Sequence, residues 1–143
     1  MPKLYVVAFD ARLPRWALEA RAEYLGRLPR GFEVEYLGLK AEPLKRLRSR
    51  LPRGARLVAL DERGRDLSTV QFARQLEAWR REGDPVAFLI GGPDGLAAEL
   101  KHEAQLLWRL SALTLPHAFA QVLLCEQLYR AATLLAGHPY HRA

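Results

Sequence analysis

Cysteine and long apolar runs are almost absent from this sequence. A single cysteine in 143 residues excludes a disulfide framework within the chain and disfavours a structural zinc site built on thiolates. With no apolar run of 18 residues and no signal peptide, we expect a cytoplasmic protein without a membrane span. The hydrophobic content of 50% is enough to bury a core. We therefore predict one domain over residues 1–143.

Positive charge is unevenly distributed. The formal net charge is +6, and residues 1–56 hold 13 of the 22 Lys and Arg but only 6 of the 16 Asp and Glu. Such an excess, mostly arginine, indicates a polyanionic partner such as RNA, although a solvated basic helix face is an equal alternative. The densest stretch, KRLRSRLPRGAR, contributes the candidate contacts Lys45, Arg46, Arg48, Arg50, Arg53 and Arg56.

Hydrophobic periodicity predicts alternating strands and helices. Strands are expected at 3–10, 32–39, 56–61 and 85–90, with a short extended segment at 111–116. Helices are expected at 14–28, 42–51, about 97–108 and 117–136, with one more between the capping box Ser68/Gln71 and the stop at Gly83. ERGRDLS (62–68) is predicted to be a loop. The alternation indicates an α/β fold, a parallel sheet covered on both faces, with its ligand site at the carboxyl ends of the strands.

The last predicted helix is apolar almost all round. Phe119, Val122, Leu124, Leu128 and Leu135 do not fit one stripe, so the helix is expected to be buried on more than one side. One side would face the sheet and the other a second subunit, which predicts a homodimer. The alternative is a helix enclosed within the monomer.

The loop GGPDGL (91–96) is the candidate ligand loop, because it follows a buried strand and opens a helix. It matches neither G-x-G-x-x-G nor the P-loop, which disfavours a nucleotide hydrolase, and Asp94 would repel a pyrophosphate. A phosphate-free cofactor, such as a nucleoside with a cationic tail, fits better. A purely structural turn is the alternative.

The ending GHPYHRA concentrates proton-handling and anion-handling groups. A metal site at His138 and His141 is disfavoured, because Pro139 separates them and no cysteine or acidic residue is near, so no metal is expected. A serine nucleophile is disfavoured because no G-x-S-x-G elbow exists, and Cys125 lies within an apolar helix as an inert residue. The remaining interpretation is that this C-terminal tail contributes to an active site.

Four motifs in order carry a family resemblance. LIGGPDGL (89–96), RLSALTLPHAF (109–119), EQLYRA (126–131) and HPYHR (138–142) together resemble the RlmH-type ribosomal RNA methyltransferases of the SPOUT superfamily. The resemblance runs the length of the chain and is densest from residue 89 onward. It implies a homodimer with a C-terminal trefoil knot at about 86–143 that binds S-adenosylmethionine and methylates N3 of a pseudouridine in 23S ribosomal RNA.

The resemblance also implies roles for individual residues. The cofactor would contact Leu60, Gly91, Gly92, Ser111, Ala112, Leu113, Thr114, Leu115 and Pro116. In the tail, Arg142 is the candidate to stabilise the imidate anion or to hold a nearby phosphate, His141 the candidate general base and Tyr140 the candidate stacking partner of the target base. Arg12 stands where a lysine is common and is a further RNA-contact candidate. A non-catalytic RNA- or ribosome-binding factor on the same fold is the competing hypothesis.

Overall fold

The computed structural model describes residues 3–10, 12–40 and 43–137, which form five strands and five helices in alternation. In chain order they are β1 (Leu4–Phe9), α1 (Arg15–Gly26), β2 (Val34–Leu39), α2 (Leu44–Arg50), β3 (Arg56–Asp66), α3 (Thr69–Glu82), β4 (Val86–Ile90), α4 (Ala98–Glu103), β5 (Leu106–Arg109) and α5 (His117–Ala136). Among these described helices, none is long and apolar enough to cross a membrane.

The strands form one parallel sheet in the order β2-β1-β4-β3-β5. Side chains alternate across β1: Leu4 and Val6 join one core, whereas Tyr5, Val7 and Phe9 join the other. The first core is completed by α3 and α5, with α1 packed on α5, and the second by α2 and α4. The predicted α/β class, with helices on both faces of a parallel sheet, is confirmed.

Local end signals fix α3 and α5. Ser68 Oγ accepts from the backbone N–H of Gln71 at 3.1 Å, and Gln71 Oε1 accepts from the N–H of Ser68 at 2.8 Å. This is the predicted capping box, and it satisfies two backbone donors at the start of α3. Gly83 and Gly137 end α3 and α5 in the left-handed conformation, with φ of 86° and 76°.

Three sequence predictions are wrong at the far edge of the sheet. The helix predicted at 97–108 ends at Glu103, and Leu106–Arg109 is the fifth strand. The segment 111–116 is not a strand, because pairing with β3 is made by residues 106–109 instead. The predicted loop 62–68 is strand as far as Asp66. Each error arises because pairing between β3 and β5 is a tertiary interaction that overrides local propensity.

The β3–β5 pairing contains an interruption, which we name the β3 excursion (residues 61–64). Leu60 and Arg65 both align with Trp108, so the four residues between them leave the ladder. A Cβ on Gly64 would lie 2.6 Å from the backbone carbon of Leu107. Glycine is therefore required where the excursion returns to β5.

Candidate functional site

A pocket of about 560 Å³ lies at the carboxyl edge of the sheet, where β1, β3 and β4 lead into loops. Its size suits a nucleoside-sized ligand. The wall is made by the middle of β3, the loop after β4, α4, the end of β5, the segment 111–116 and the start of α5. The lining residues are Leu60, Asp61, Glu62, Ile90, Gly91, Gly92, Pro93, Asp94, Gly95, Leu96, Lys101, Trp108, Arg109, Leu110, Ser111, Leu113, Thr114, Leu115, Pro116, His117 and Ala120.

The glycine loop is folded too tightly to accept side chains. The N–H of Gly95 donates to the carbonyl of Gly92 at 3.0 Å, which closes a turn, and Gly95 has φ of 75°. A Cβ on Gly91 would lie 2.4 Å from the carbonyl carbon of Gly95, and one on Gly92 would lie 2.6 Å from the carbonyl oxygen of Phe9. The two glycines let the loop pack on itself and on the end of β1, and they expose backbone groups to the pocket.

Carboxylates outnumber cations on the pocket wall. Asp61, Glu62 and Asp94 line it together with Lys101 and Arg109. Lys101 Nζ lies 4.0 Å from Asp61 Oδ1. The wall therefore offers an anionic environment, which favours a cationic ligand over a polyphosphate.

Arg109 forms an ion pair with a carboxylate beside the pocket. Its Nε and Nη2 each donate to a carboxylate oxygen of Asp66 at 2.6 Å, a bidentate pair that joins the ends of β3 and β5. This guanidinium holds the pKa of Asp66 below its usual range, so the pair stays charged. We infer that Arg109 shapes the pocket rim and is not available to neutralise a ligand phosphate.

The segment 111–116 runs along the pocket to α5. Ser111 Oγ accepts from the N–H of Leu113 at 2.9 Å, so the hydroxyl bends the chain. Pro116 precedes the first residue of α5, His117, and the start of this helix faces the pocket. The N-cap of α5 has no side-chain hydrogen bond, and His117 lies on the pocket wall.

Eight of the nine predicted cofactor residues lie on the pocket wall, and Ala112 does not. Asp61 and Glu62 were not predicted as pocket residues, although they directly follow the buried part of β3 at the carboxyl side of the sheet. Lys101, Trp108 and Ala120 were not predicted either. No local signal marks those three, because their helices and strand are brought to the pocket by tertiary packing.

The predicted catalytic residues Tyr140, His141 and Arg142 lie outside the described residues. Other interpretations of the C-terminal region can be compared with the structure. Glu126 and Arg130 form an i, i+4 ion pair at 2.9 Å. Cys125 is fully buried, and burial raises the pKa of its thiol to about 12, so it is a neutral core group as expected. The described parts of the chain contain no group of three or more His, Cys, Asp or Glu that could hold a metal ion.

The predicted RNA-contact residues fall into two groups: exposed side chains, and half-buried side chains that bond within the fold. Arg12, Lys45 and Arg53 are exposed, as are Arg46 and Arg50. Arg48 is half-buried and donates to the carbonyl of Ala55 at 2.6 Å. Arg56 pairs with Glu82, and with Asp84 at 3.2 Å. The guanidinium of Arg48 thus stabilises the turn after α2, and that of Arg56 is neutralised within the fold.

Fold and pocket together define an α/β protein with a nucleoside-sized, carboxylate-bearing pocket at the carboxyl edge of its parallel sheet. Residues 3–141 match the model of a family described as predicted SPOUT methyltransferases. The chain belongs to this family.

Individual proteins of known name are also similar to this chain. A ribosomal RNA large subunit methyltransferase H of Polynucleobacter asymbioticus is 48% identical over 145 residues, covering 98% of this chain and 99% of the relative. The crystal structure of a probable methyltransferase from Bordetella pertussis aligns with a TM-score of 0.60 at 14% identity, over 92% of this chain and 96% of that one. The SpoU methyltransferase AviRb from Streptomyces viridochromogenes, crystallised with AdoMet, aligns with a TM-score of 0.56 at 17% identity, over 90% and 57%.

Proposed function

We propose that this protein transfers a methyl group from S-adenosylmethionine to N3 of a pseudouridine in 23S ribosomal RNA, and that it acts on the assembled ribosome in the cytoplasm. The observation that carries the proposal is the glycine-walled, carboxylate-rich pocket in a chain nearly half identical to a large-subunit RNA methyltransferase. Site selection by so small a protein needs the ribosome as a second recognition surface.

The pocket fits the proposed cofactor. Gly91 and Gly92 let the loop pack on itself and on the end of β1, and both residues line the pocket, where their backbone groups can meet an adenine or ribose edge. A sulfonium carries positive charge and no phosphate, which agrees with three carboxylates on the wall and with the engagement of Arg109 by Asp66. The proposed contacts are Leu60, Gly91, Gly92 and the segment 111–116. When bound, the cofactor supplies an electrophilic methyl group on a thioether leaving group.

The chain's own contribution is to position the base and to handle one proton. N3 of the pseudouridine carries a proton that must be removed as the N3–methyl bond forms. In this proposal His141 takes that proton, Arg142 stabilises the negative charge left on the imide, and Tyr140 stacks on the base. Orientation of the reactants accounts for most of the rate, since well-placed groups contribute up to about 7–11 kcal/mol.

The proposal includes a C-terminal knot over about 86–143 and a homodimer. Support for the dimer comes from an apolar face on α1 and α5. Trp16 and Phe119 are 45% and 54% exposed, and their rings lie 4.9 Å apart. Large apolar side chains clustered in this way are typical of a surface covered by a partner.

Replacing Phe119 by aspartate is therefore expected to convert the dimer to a monomer, because a carboxylate would be desolvated at the interface. Light scattering coupled to gel filtration measures the mass directly. Ala98→Asp is the matched control, since Ala98 is exposed on α4 across the sheet, and it should leave the mass unchanged. A dimer that persists in Phe119→Asp would place the interface elsewhere.

The methyltransferase proposal is tested with ribosomes from a strain that lacks this gene. Labelled methyl from S-adenosylmethionine should appear in the large-subunit RNA and map to a pseudouridine. Arg142→Ala and a chain ending at Gly137 should each reduce the rate at least tenfold, because the tail completes the site. Both variants should still bind the cofactor by calorimetry.

Three outcomes separate the alternatives. If the protein binds S-adenosylmethionine but no RNA is labelled, the ribosomes supplied are not its substrate. If neither cofactor binding nor RNA labelling is observed, the hypothesis of a non-catalytic RNA-binding factor is supported. Full activity of the chain ending at Gly137 would exclude a catalytic role for the tail while leaving the methyltransferase intact.

A further inference from the structure

Two arginines beside the pocket have no role in the site described so far. Arg63 lies on the β3 excursion and Arg65 is the residue at which β3 rejoins β5. Both side chains are exposed, and neither has a hydrogen-bond or ion-pair partner in the parts of the chain that the structure describes. Unpaired guanidinium groups at a pocket rim are available to bind an anion outside the protein.

The basic segment on and after α2 reaches the opposite edge of the sheet. α2 begins after the carboxyl end of β2 and runs back to the amino end of β3, so Arg53 lies three residues before that end. Arg56, the first residue of β3, is already paired with Glu82 and Asp84. The far half of this segment is therefore remote from the pocket, and an RNA strand that enters the pocket needs cations closer to it.

The β3 excursion is close to the pocket, since Asp61 and Glu62 belong to it and line the wall. Two carboxylates in or next to the β3 excursion are paired within the fold. Asp61 lies 4.0 Å from Lys101, and Asp66, two residues after the excursion, binds Arg109 through both oxygens. Of the charged residues from 61 to 66, that leaves Glu62, Arg63 and Arg65 without a side-chain partner among the described residues. The rim thus presents two arginines and one carboxylate to an external ligand.

Strand order places cations on both sides of the glycine loop. β4, which leads into Gly91–Leu96, lies between β1 and β3. Arg12 follows β1 on one side, and Arg63 and Arg65 extend from β3 on the other. The two strands are separated by two inter-strand spacings, about 10 Å. A nucleic-acid strand crossing the carboxyl edge at the glycine loop can therefore meet arginines on both flanks of the pocket.

We propose that Arg63 and Arg65 form a phosphate-binding surface that holds the RNA backbone next to the target nucleotide. This inference rests on the proposed methyltransferase function and adds a positioning role to it. The two arginines do not touch the reacting atoms. Their removal should weaken capture of the ribosome without changing cofactor binding or the rate in the saturated complex.

The test compares wild type with Arg63→Ala/Arg65→Ala in methyl transfer to undermethylated ribosomes at several salt concentrations. The double variant should raise the KM for ribosomes about tenfold with kcat and the affinity for S-adenosylmethionine unchanged. The slope of log affinity against log salt, measured by binding to large subunits, should fall by about 1.5, because about 0.7–0.9 is lost per phosphate contact. Arg63→Lys/Arg65→Lys should recover most of that slope.

Arg74→Ala/Arg81→Ala is the matched control. It removes the same charge from exposed α3 positions that also have no partner among the described residues, and it should change the KM little. The inference is overturned if both double variants behave alike, or if the affinity for S-adenosylmethionine falls with the KM. Wild type that binds large subunits but transfers no methyl group would reject the proposed function, and the salt slopes would still decide the role of the arginines.

Discussion

Replacing Gly91 by alanine is expected to abolish cofactor binding while leaving the protein folded. The added Cβ would lie 2.4 Å from the carbonyl carbon of Gly95 and 2.6 Å from the backbone nitrogen of Leu96. Both atoms belong to backbone, so no side-chain rotation relieves the contact, and the turn closed by Gly92 and Gly95 has to open. We expect the affinity for S-adenosylmethionine to fall at least about 100-fold, equivalent to about 2.8 kcal/mol.

Isothermal titration calorimetry measures this loss, and a thermal melt shows whether the variant is folded. Gly26→Ala is the matched control, because a Cβ there meets nothing within 4 Å and Gly26 ends α1 without a positive φ. Its affinity for the cofactor should equal that of wild type, with stability equal or slightly higher. A folded Gly91→Ala variant that binds within a few-fold of wild type would move the cofactor site away from this loop.

Elements with local signals were predictable from the sequence. The start of α3 follows from Ser68 and Gln71, and its end follows from Gly83, because caps are formed by neighbours in the chain. The same holds for α5, whose predicted limits of 117 and 136 match the structure. The glycine loop was also predictable as the ligand loop, because a strand, two glycines and a helix are consecutive in the sequence.

Elements decided by partners distant in the chain were not predictable. The helix predicted at about 97–108 ends at Glu103, and Trp108 belongs to a strand because it pairs with Leu60 and Arg65. ERGRD carries no apolar residue and has no strand pattern of its own, and its pairing depends on the backbone of β5. The pocket residue Lys101 was not predictable either, because packing of α4 on the sheet is what brings it to the pocket.

The β3–β5 edge that the sequence did not reveal is joined to the core through aromatic rings. Phe72 on α3 stacks on Trp108 with centroids 4.3 Å apart, and it meets Phe88 on β4 edge-on at 5.9 Å. Phe72 has no exposed surface, and Trp108, which lines the pocket, is 2% exposed. The position of one pocket wall therefore depends on a side chain that does not touch the ligand.

Phe72→Ala is expected to lower the free energy of unfolding by about 3–5 kcal/mol, because the lost ring contacts and the cavity left behind both destabilise the folded state. For a chain of this length that corresponds to a fall of roughly 10 °C or more in Tm. Urea denaturation at a fixed protein concentration measures the change, so that the proposed self-association contributes equally to wild type and variant.

Phe72→Leu separates volume from aromatic stacking. Leucine keeps most of the buried apolar surface, so its cost should stay below about 2 kcal/mol if packing volume dominates. The tryptophan fluorescence of the protein should change in both variants, because the stacking partner of Trp108 is removed in each. Where Phe72→Ala remains folded, weaker cofactor binding is expected, since Trp108 can then relax toward the cavity and displace the pocket wall. A loss of stability below about 1 kcal/mol, with cofactor affinity unchanged, would show that the β3–β5 edge is held by its backbone pairing and by the Asp66–Arg109 ion pair instead.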